Sequence, residues 1–240
     1  MALATLRALL DLVLPVACAG CGAAGSIWCP TCARDLSGPA RPTSPQPRPA
    51  GLPTTWAVAA YTGAVRAAVV AHKEDGVRAL GRPLGTALAA GLTAAAGADR
   101  RPDGAGLLVV PAPSRAAAVR ARGDDPTLRL ARVAVSVAPA GSGLVLVPAL
   151  RLARGTADQA GLGVRARAEN LAGAARVRPR LVSVVQGRRV VVVDDVVTTG
   201  ATLVEAARAL AAAGADVVAA AVVAATPRRG TGLSLGCGKG

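Results

Sequence analysis

One stretch of this 240-residue chain decides its fold class: Val190-Val-Val-Val-Asp-Asp-Val-Val-Thr-Thr-Gly-Ala-Thr-Leu203. The four leading valines predict a short buried strand, because β-branched residues favour strands and a strand covered on both faces is apolar throughout. Two carboxylates, Asp194 and Asp195, follow the valines directly. Ligands of open α/β sheets bind at the carboxyl ends of the strands, so we predict that both carboxylates line a ligand site.

The small residues after the acidic pair predict a phosphate-binding loop that leads into a helix. Unpaired backbone N–H groups at a helix start, joined by threonine hydroxyls, suit a phosphate group. Gly200 would let the backbone approach that ligand closely. Thr202 and Glu205 also have the spacing of a helix capping box. The candidate loop residues are Thr198, Thr199, Gly200, Ala201 and Thr202. A ligand with hydroxyls and a phosphate, such as a phosphorylated ribose, fits this arrangement.

Three other interpretations of the segment find less support in the sequence. A magnesium site of a nucleoside triphosphatase would need the motif GxxxxGK[ST], which the chain lacks. A dinucleotide fold would need GxGxxG after a strand and an acidic residue about twenty positions later, which is also absent. An acidic pair of the receiver type would not be followed by Thr-Thr-Gly-Ala-Thr.

Apolar runs of strand length recur along the chain and alternate with helical patterns. We expect strands at 56–61, 107–110, 144–147, 190–193 and 217–223. We expect helices at 80–96, 126–137 and 201–213, with shorter helical stretches at 63–71 and 165–174. Continuous apolar strands separated by helices predict an α/β domain with a parallel sheet that is flanked by helices.

The composition limits both the core and the class of partner. Hydrophobic residues make up 52% of the chain, but Trp28, Trp56 and Tyr61 are its only aromatics, so the core must consist of Ala, Val and Leu. The net charge of +14 comes mainly from arginine, whose planar fork binds phosphates and carboxylates. Three aromatics cannot form a base-stacking platform, so the composition argues against a base-stacking nucleic-acid module.

The N-terminal residues do not predict a membrane span, because no apolar run reaches about 18 residues. Leu3, Leu6, Val13 and Leu14 instead share one face of an amphipathic helix that ends at Pro15. The short apolar run before Cys18 also resembles a lipoprotein signal, but its apolar region contains an acidic residue. We expect a cytoplasmic protein.

Four cysteines form two CxxC pairs seven residues apart, which predicts a metal site. The ligands would be Cys18, Cys21, Cys29 and Cys32. Each pair can direct two thiolates at one ion, and two pairs complete a tetrahedron with no open position, so the metal would be structural zinc. A rubredoxin-type iron site uses the same ligands and stays an alternative, as do a redox pair and disulfides. Cys237 has no partner at useful spacing.

The distribution of prolines and glycines suggests how the chain divides. Six prolines lie between Ser37 and Pro53, a composition typical of an extended, semi-rigid linker. The expected parts are an N-terminal helix and zinc ribbon at 1–36, a Pro-rich linker at 37–55, an α/β domain at 56–226 and a disordered tail at 227–240.

The segment from Val192 to Thr202 closely resembles the phosphoribosyl-pyrophosphate (PRPP) motif of type I phosphoribosyltransferases. The chain from residue 1 to about 226 is similar to the ComF/GntX family. The similar pieces, in order, are the Leu-rich helix and four cysteines, Tyr61-Thr-Gly63 with Val65-Arg66 and Lys73, Val110-Pro-Ala-Pro113, Arg120-Ala-Arg-Gly123, Arg154-Gly-Thr-Ala-Asp-Gln159, Gly161-Leu162, Arg165 and Asn170-Leu171. The order of these pieces, together with the long motif, carries the resemblance.

The resemblance implies a type I phosphoribosyltransferase fold and specific roles in binding PRPP. Asp194 and Asp195 would bind the ribose hydroxyls, one of them would shift a proton on the acceptor, and the 198–202 loop would hold the 5′-phosphate. The loop after an earlier strand would face the pyrophosphate through Pro113, Ser114 and Arg115. A hood over 151–167 would add Arg154 and Gln159. Mg²⁺ would enter with the pyrophosphate.

The sequence departs from the family pattern at Arg122-Gly-Asp-Asp-Pro126, where the family commonly has Arg-Gly-Phe-Asn-Gln. The resemblance therefore implies no contacts here for the replaced aromatic and amide side chains. His72, the only histidine, is expected on the surface. The basic run from Arg176 to Arg189 is expected to be a solvated face.

Two functions follow from these observations. The first is a PRPP- or ribose 5-phosphate-binding protein that transfers the phosphoribosyl group to an unknown acceptor and is linked to DNA uptake. The alternative is a non-catalytic component of the DNA-uptake machinery that binds DNA or a helicase. A homo-oligomer is compatible with the sequence.

Overall fold

The computed structural model of the protein describes residues 16–98, 106–114, 119–120, 123–153 and 173–227. The strands within these ranges are β1 (Arg41–Thr43), β2 (Thr55–Ala60), β3 (Leu107–Pro111), β4 (Leu144–Leu146), β5 (Leu150–Leu152), β6 (Ala175–Val177), β7 (Arg189–Val197) and β8 (Asp216–Ala225). The helices are α1 (Pro30–Ala33), α2 (Gly63–Lys73), α3 (Gly81–Ala98), α4 (Pro126–Val137), α5 (Val182–Val185) and α6 (Ala201–Ala211). Short 3₁₀ turns follow α1 at Arg34–Leu36, precede α3 at Arg78–Leu80 and precede α5 at Pro179–Leu181.

The main sheet has six strands in the order β1-β2-β8-β7-β3-β4. All neighbouring pairs from β2 to β4 are parallel, and β1 lies antiparallel on the outer edge of β2. In the centre, Val191 of β7 is level with Val109 of β3, and Val193 is level with Ala221 of β8. This topology confirms the predicted α/β fold with a mostly parallel sheet flanked by helices.

Helices cover both faces of the sheet because its central strand is apolar on both faces. Val191 and Val193 of β7 pack in one cluster with residues of α2, α3 and α4. Val190 and Val192 pack in a second cluster with α6 and the β5–β6 hairpin. Apart from Cys18 and Cys32, every buried hydrophobic residue in the described ranges is Ala, Val or Leu, which confirms the prediction from composition.

The core compensates for its small side chains by bringing backbones close together. Gly85 of α3 faces Val133 of α4, and a Cβ on this glycine would lie 2.5 Å from the Cβ of Val133. No side chain fits at that distance, so the two helices can pack this closely only with glycine at position 85.

The Pro-rich segment is more closely packed than a linker. Residues 41–43 extend the sheet as β1, where a proline is tolerated because an edge strand leaves one row of N–H groups unpaired. Leu52 is 4% exposed and belongs to the second core cluster. The expectation of a stretch without packing contacts is therefore wrong for these residues. The division of the chain at residues 36, 55 and 226 stays a prediction.

Most helix boundaries agree with the sequence. The helix predicted at 126–137 is α4, and it begins with Pro126 at the first turn as expected. Helix α6 ends at Ala211, two residues earlier than predicted. The predicted helix at 165–174 falls mainly outside the described residues, as do the N-terminal helix and the tail after residue 227. Within the described ranges, no helix combines the length and apolar character needed to cross a membrane.

Candidate functional site

The site lies between β3 and β7, where the connections to the next strands run in opposite directions across the sheet. Strand β3 leads through α4 to β4 on one side, and its neighbour β7 leads through α6 to β8 on the other. Helices α4 and α6 pack on opposite faces of the sheet, so the loops after β3 and β7 diverge. Such a crevice at the carboxyl ends of adjacent strands is where open α/β sheets bind ligands.

Asp194 and Asp195 lie inside β7 rather than beyond its end. The strand continues through Val197, because Val196 and Val197 remain paired with β8. Both carboxylates are nearly buried, with 9% and 6% of the residue exposed. Each accepts a hydrogen bond from the next backbone N–H at 2.8 Å, Asp194 from Asp195 and Asp195 from Val196. The pair is thus held rigidly.

Lys73 of α2 provides the counter-charge for this pair. Its Nζ lies 2.7 Å from Oδ2 of Asp195. Burial disfavours the charged ammonium, but the carboxylates of Asp195 and Asp194 outweigh it and raise the pKa of Lys73. Burial and the adjacent charge of Asp195 raise the pKa of Asp194 to about 8, against the opposing effect of Lys73. Asp194 therefore keeps its proton to a higher pH than an exposed aspartate would, next to the Lys73 ammonium.

The predicted phosphate loop connects β7 to α6. Gly200 precedes the first residue of α6 with φ of +80°, so this position favours glycine. Thr199 is the one loop side chain that bonds to the helix start, its Oγ1 accepting from the N–H of Ala201 at 3.4 Å. Thr198 and Thr202 face the crevice. Backbone N–H groups at a helix start suit an anion, and the role of this loop as a phosphate site stays a prediction.

Two details of this loop differ from the sequence predictions. The capping box is wrong, since α6 starts before Thr202 and Glu205 bonds elsewhere. The reason for a glycine at position 200 also differs. A Cβ there would lie 3.1 Å from Cδ1 of Leu52 and 3.2 Å from Cγ of Pro49, so the glycine accommodates the Pro-rich segment.

The acidic pair and the loop open into one cleft of about 260 Å³, near the lower end of the range for small-molecule sites. The cleft is lined by Tyr61, Val69, Val70, Lys73, Glu74, Asp194, Asp195, Val196, Thr198 and Thr202. Among the site residues predicted from the sequence, the structure brings together both aspartates and the two threonines. The contribution of α2 was missed. Val69, Val70, Lys73 and Glu74 have a spacing that places them on one side of a helix. This pattern around Lys73 could have revealed the contribution of α2 to the cleft.

The loop after β3 approaches the same end of the sheet. The N–H of Ala112 donates to the carbonyl of Val193 at 2.8 Å, which joins this loop to β7. Pro113 and Ser114 are partly exposed, and the hydroxyl of Ser114 donates to Oδ1 of Asp125 at 2.8 Å. Of the remaining predicted contacts, Arg115, Arg154 and Gln159 lie outside the described residues.

The segment that departs from the family pattern has an ordered structure of its own. Asp125 accepts from the N–H of Leu128 at 3.2 Å and thereby caps α4. Asp124 accepts from Nε of Arg129 at 2.7 Å and from a second guanidinium nitrogen, and bonds to these groups lower its pKa against the effect of burial. The two aspartates thus stabilise the start of α4.

The four N-terminal cysteines converge as the spacing predicted. Their sulfur atoms all lie within 4.8 Å of one another, and the Sγ atoms of Cys21 and Cys29 are 3.6 Å apart. A tetrahedral zinc–thiolate site has sulfur–sulfur distances of about 3.8 Å, so the donor set fits zinc. All four cysteines are free in the structure. Cys237 lies outside the described residues.

The cysteine cluster has uneven acidity and is packed against the α/β domain. A hydrogen bond from the N–H of Cys29 is the main reason that the pKa of Cys18 falls to about 6, whereas burial raises the pKa of Cys32. Gly20 touches the start of α2, since a Cβ there would lie 2.7 Å from the Cβ of Ala64. A metal ion bound by the cluster would therefore also stabilise the position of α2, the helix that carries Lys73.

Comparison with known protein families identifies part of the chain. Residues 134–233 match the family model of the phosphoribosyl transferase domain. The matched segment includes β7, the loop at 198–200 and α6, so the acidic pair and the candidate phosphate loop both lie within it. The cysteine cluster, α2 and β3 lie before the match. No curated protein matches the chain.

His72 is not on the surface as expected. It is 2% exposed, because it lies on the inner side of α2 against the start of α4. Burial lowers its pKa, although contacts with two backbone carbonyls act in the opposite direction. Its ring nitrogens lie 3.4 Å from the carbonyl of Val77 and 3.5 Å from that of Pro126.

Proposed function

We propose that the cleft binds PRPP or a ribose 5-phosphate and transfers the phosphoribosyl group to a nitrogenous acceptor. The observation that carries this proposal is the position of Asp194, Asp195 and the 198–202 loop in one cleft, within the segment that matches the phosphoribosyl transferase domain. Neighbouring hydroxyls and a phosphate on one sugar would satisfy the carboxylates and the loop at the same time.

In this proposal the acidic pair binds the two ribose hydroxyls. Asp195, paired with Lys73, accepts from one hydroxyl, and Asp194, whose pKa is raised, can in its protonated form both donate to and accept from the other. The 5′-phosphate binds the backbone N–H groups and threonine hydroxyls of the loop. The loop at 112–115 faces the diphosphate, and Arg154 and Gln159 would close over it.

The proposed reaction replaces one bond at C1 of the ribose by another. The bond from C1 to the diphosphate oxygen breaks, a bond from C1 to the acceptor nitrogen forms, and the acceptor loses a proton. An oxocarbenium-like transition state carries positive charge on the ribose ring, which the carboxylate of Asp195 stabilises. Most of the rate gain would come from positioning the two reactants.

Mg²⁺ is part of the proposal because of the oxygen donors in the cleft. Three acidic side chains line it, those of Glu74, Asp194 and Asp195, against one lysine among the described residues. Carboxylate oxygens are ligands that Mg²⁺ accepts, directly or through water, so the donor set fits the ion. When bound with the diphosphate, Mg²⁺ would neutralise the negative charge of the leaving group.

Calorimetric titration of the metal-loaded protein with PRPP and Mg²⁺ tests the proposal. We expect saturable binding that the double variant Asp194→Asn, Asp195→Asn loses while its circular dichroism spectrum remains that of the wild type. Ribose 5-phosphate should bind more weakly, because it lacks the diphosphate. A folded wild type that binds neither ligand would refute the proposal.

We further propose that the whole chain is a ComF-type protein with a structural zinc ribbon. The support is the combination of a four-cysteine cluster before the domain and a phosphoribosyltransferase domain after it. We favour zinc over iron because a site with four protein thiolates and no open position stabilises the fold, and this role requires no redox-active metal. Metal analysis of protein expressed without added metal distinguishes the two ions.

A second candidate function is nucleic-acid binding by the DNA-uptake machinery. Arg151 and Arg176 stand directly opposite each other on β5 and β6, and both are exposed. Like charges at such positions repel each other, which an external polyanion would relieve. DNA binding that falls steeply with salt, and that persists in the Asp194→Asn, Asp195→Asn variant, would favour this function.

A further inference from the structure

A second cavity lies beside the cleft, between the end of α2 and the start of α4. We call it the α2–α4 chamber. Its volume is about 130 Å³, enough for a single carboxylate or phosphate group but not for a nucleotide. The residues that matter are His72, Lys73, Arg78, Asp124, Pro126 and Arg129. Lys73 also lines the cleft, so the two cavities are neighbours that share this side chain.

The charges around the chamber do not balance. Three cationic side chains line it, those of Lys73, Arg78 and Arg129, against one carboxylate, that of Asp124. Asp124 pairs with Arg129, and Lys73 pairs with Asp195 of the neighbouring cleft. These two carboxylates offset two of the three positive charges. Arg78 is the remaining cationic side chain of the lining, and a monoanion would neutralise its charge.

Buried polar groups in the chamber also lack good partners. Nη1 of Arg129 is buried and has no hydrogen-bond partner among the described residues. The imidazole of His72 faces a carbonyl at each ring nitrogen, but a neutral ring can donate to only one of them. Buried donors in folded proteins are normally satisfied, and an arginine nitrogen most readily by an anionic oxygen.

We propose that the α2–α4 chamber is a binding site for a small oxyanion, held by Arg78 and by the guanidinium of Arg129. Two sources can supply this chemistry. One is a carboxylate on the acceptor, which would enter from the cleft past Lys73; this source rests on the proposed phosphoribosyl transfer. The other is free inorganic phosphate, which does not depend on it.

His72 offers a direct readout, because it is the only histidine of the chain and lines the chamber. The experiment is nuclear magnetic resonance of the imidazole in tag-free, metal-loaded, full-length protein. Inorganic phosphate is titrated at fixed pH, and ionic strength is held constant with sodium chloride. We expect a saturable shift of the imidazole signals. A signal that follows only ionic strength would overturn the proposal.

Three variants test which residues hold the anion. Arg78→Gln removes a cation from an exposed position and should weaken phosphate binding about three- to fivefold. Arg82→Gln makes the same charge change at an exposed position of α3 outside the chamber and should leave binding unchanged. Asp124→Asn releases Arg129 from its ion pair and should tighten binding. Equal effects of Arg78→Gln and Arg82→Gln would overturn the assignment.

A matched pair of heterocycles separates the two sources. Pyridine-3-carboxylate and pyridine-3-carboxamide have nearly the same shape, but only the first carries a charge. If the acceptor supplies the oxyanion, the carboxylate alone shifts the His72 signals, and it does so only with PRPP and Mg²⁺ present. If phosphate is the ligand, inorganic phosphate alone saturates the shift. A failure to bind PRPP in calorimetry would refute the proposed function while leaving the phosphate titration to decide on the chamber.

Discussion

Lys73 and Asp195 lie 122 positions apart in sequence, and their side chains meet at 2.7 Å. The contact joins the C-terminal end of α2 to the acidic pair of β7. The lysine side chain is 40% exposed and that of the aspartate 8%, so the pair is neither a surface salt bridge nor a fully buried one. The ion pair thereby fixes α2 as one wall of the cleft.

We predict that Lys73→Met destabilises the protein by about 1–2 kcal/mol. Removal of one partner leaves the nearly buried carboxylate of Asp195 without compensation, but the exposure of the lysine reduces the cost below that of a buried pair. Urea denaturation measures the change. Lys73→Arg keeps the charge and should recover most of the stability. Equal losses in both variants would show that packing of the side chain, not its charge, matters.

The raised pKa of Asp194 gives the stability of the fold a specific dependence on pH. The unfolded chain releases this proton near 3.8, whereas the folded protein holds it until about pH 8. Between these values the folded state binds more protons than the unfolded state, so the contribution of Asp194 to stability falls as pH rises. It is fully present below about pH 4 and lost above about pH 8.

We predict that Asp194→Asn removes this dependence, because asparagine does not titrate. The measurement is the difference in unfolding free energy between wild type and variant at several values from pH 4 to 8. Subtraction is needed because His72 acts in the opposite direction: its lowered pKa makes stability fall as pH drops below its ordinary value of 6.5. A difference that is independent of pH would contradict the raised pKa of Asp194.

The sequence predicted those features that depend on local patterns. A run of four valines predicts a strand that is buried on both faces, whichever strands pair with it. Two CxxC pairs bring their thiolates together through local spacing alone. These patterns identified the central strand and the cysteine cluster correctly.

Features that depend on contacts between distant segments could not be predicted in this way. Lys73, His72 and Leu52 owe their surroundings to segments far along the chain. Glu205 has the spacing of a capping residue, yet a backbone N–H of β6 and the guanidinium of Arg208 offer it better partners. Local spacing indicates what a side chain can do, and tertiary packing decides among the options.

Metal binding by the cysteine cluster gives a third prediction. Wild-type protein should contain one zinc ion per chain, and Cys21→Ser should lose it, because a serine hydroxyl is a much poorer zinc ligand than a thiolate. Elemental analysis by mass spectrometry measures the content. Cys237→Ser is the matched control and should retain the metal. Loss of metal in both variants would mean that the zinc is not held by the four N-terminal cysteines alone.

The contact of Glu205 on α6 with Ala175 of β6 gives a fourth prediction. Glu205 is 5% exposed, accepts from the N–H of Ala175 at 2.8 Å and pairs with Arg208 at 2.7 Å. Glu205→Ala leaves the N–H of Ala175 without its acceptor and should cost about 2–3 kcal/mol. Arg208→Met removes the partly exposed ion pair and a hydrogen bond to the carbonyl of Ala175 at 3.1 Å, but keeps the Glu205 acceptor, and should cost about 1 kcal/mol. Thermal unfolding compares the two, and equal losses would assign the whole effect to the contacts of Arg208.

The last prediction concerns Gly200, where the phosphate loop meets the Pro-rich segment. Alanine at this position must adopt a φ near +80° and bring its Cβ within 3.1 Å of Leu52, so we expect a loss of about 2 kcal/mol and weaker binding of PRPP. Gly187→Ala is the matched control, because its φ is +69° and nothing lies within 4 Å of the added Cβ. It should cost about 1 kcal/mol from backbone strain alone.

The difference between these two variants isolates the contact with the Pro-rich segment. Leu52→Ala in the Gly200→Ala background removes the Cδ1 atom that the new methyl group meets, so the two substitutions together should cost less than the sum of their separate effects. Additive losses would show instead that the loop shifts away from Leu52 without resistance. In that case the Pro-rich segment would pack beside the phosphate loop without constraining its conformation.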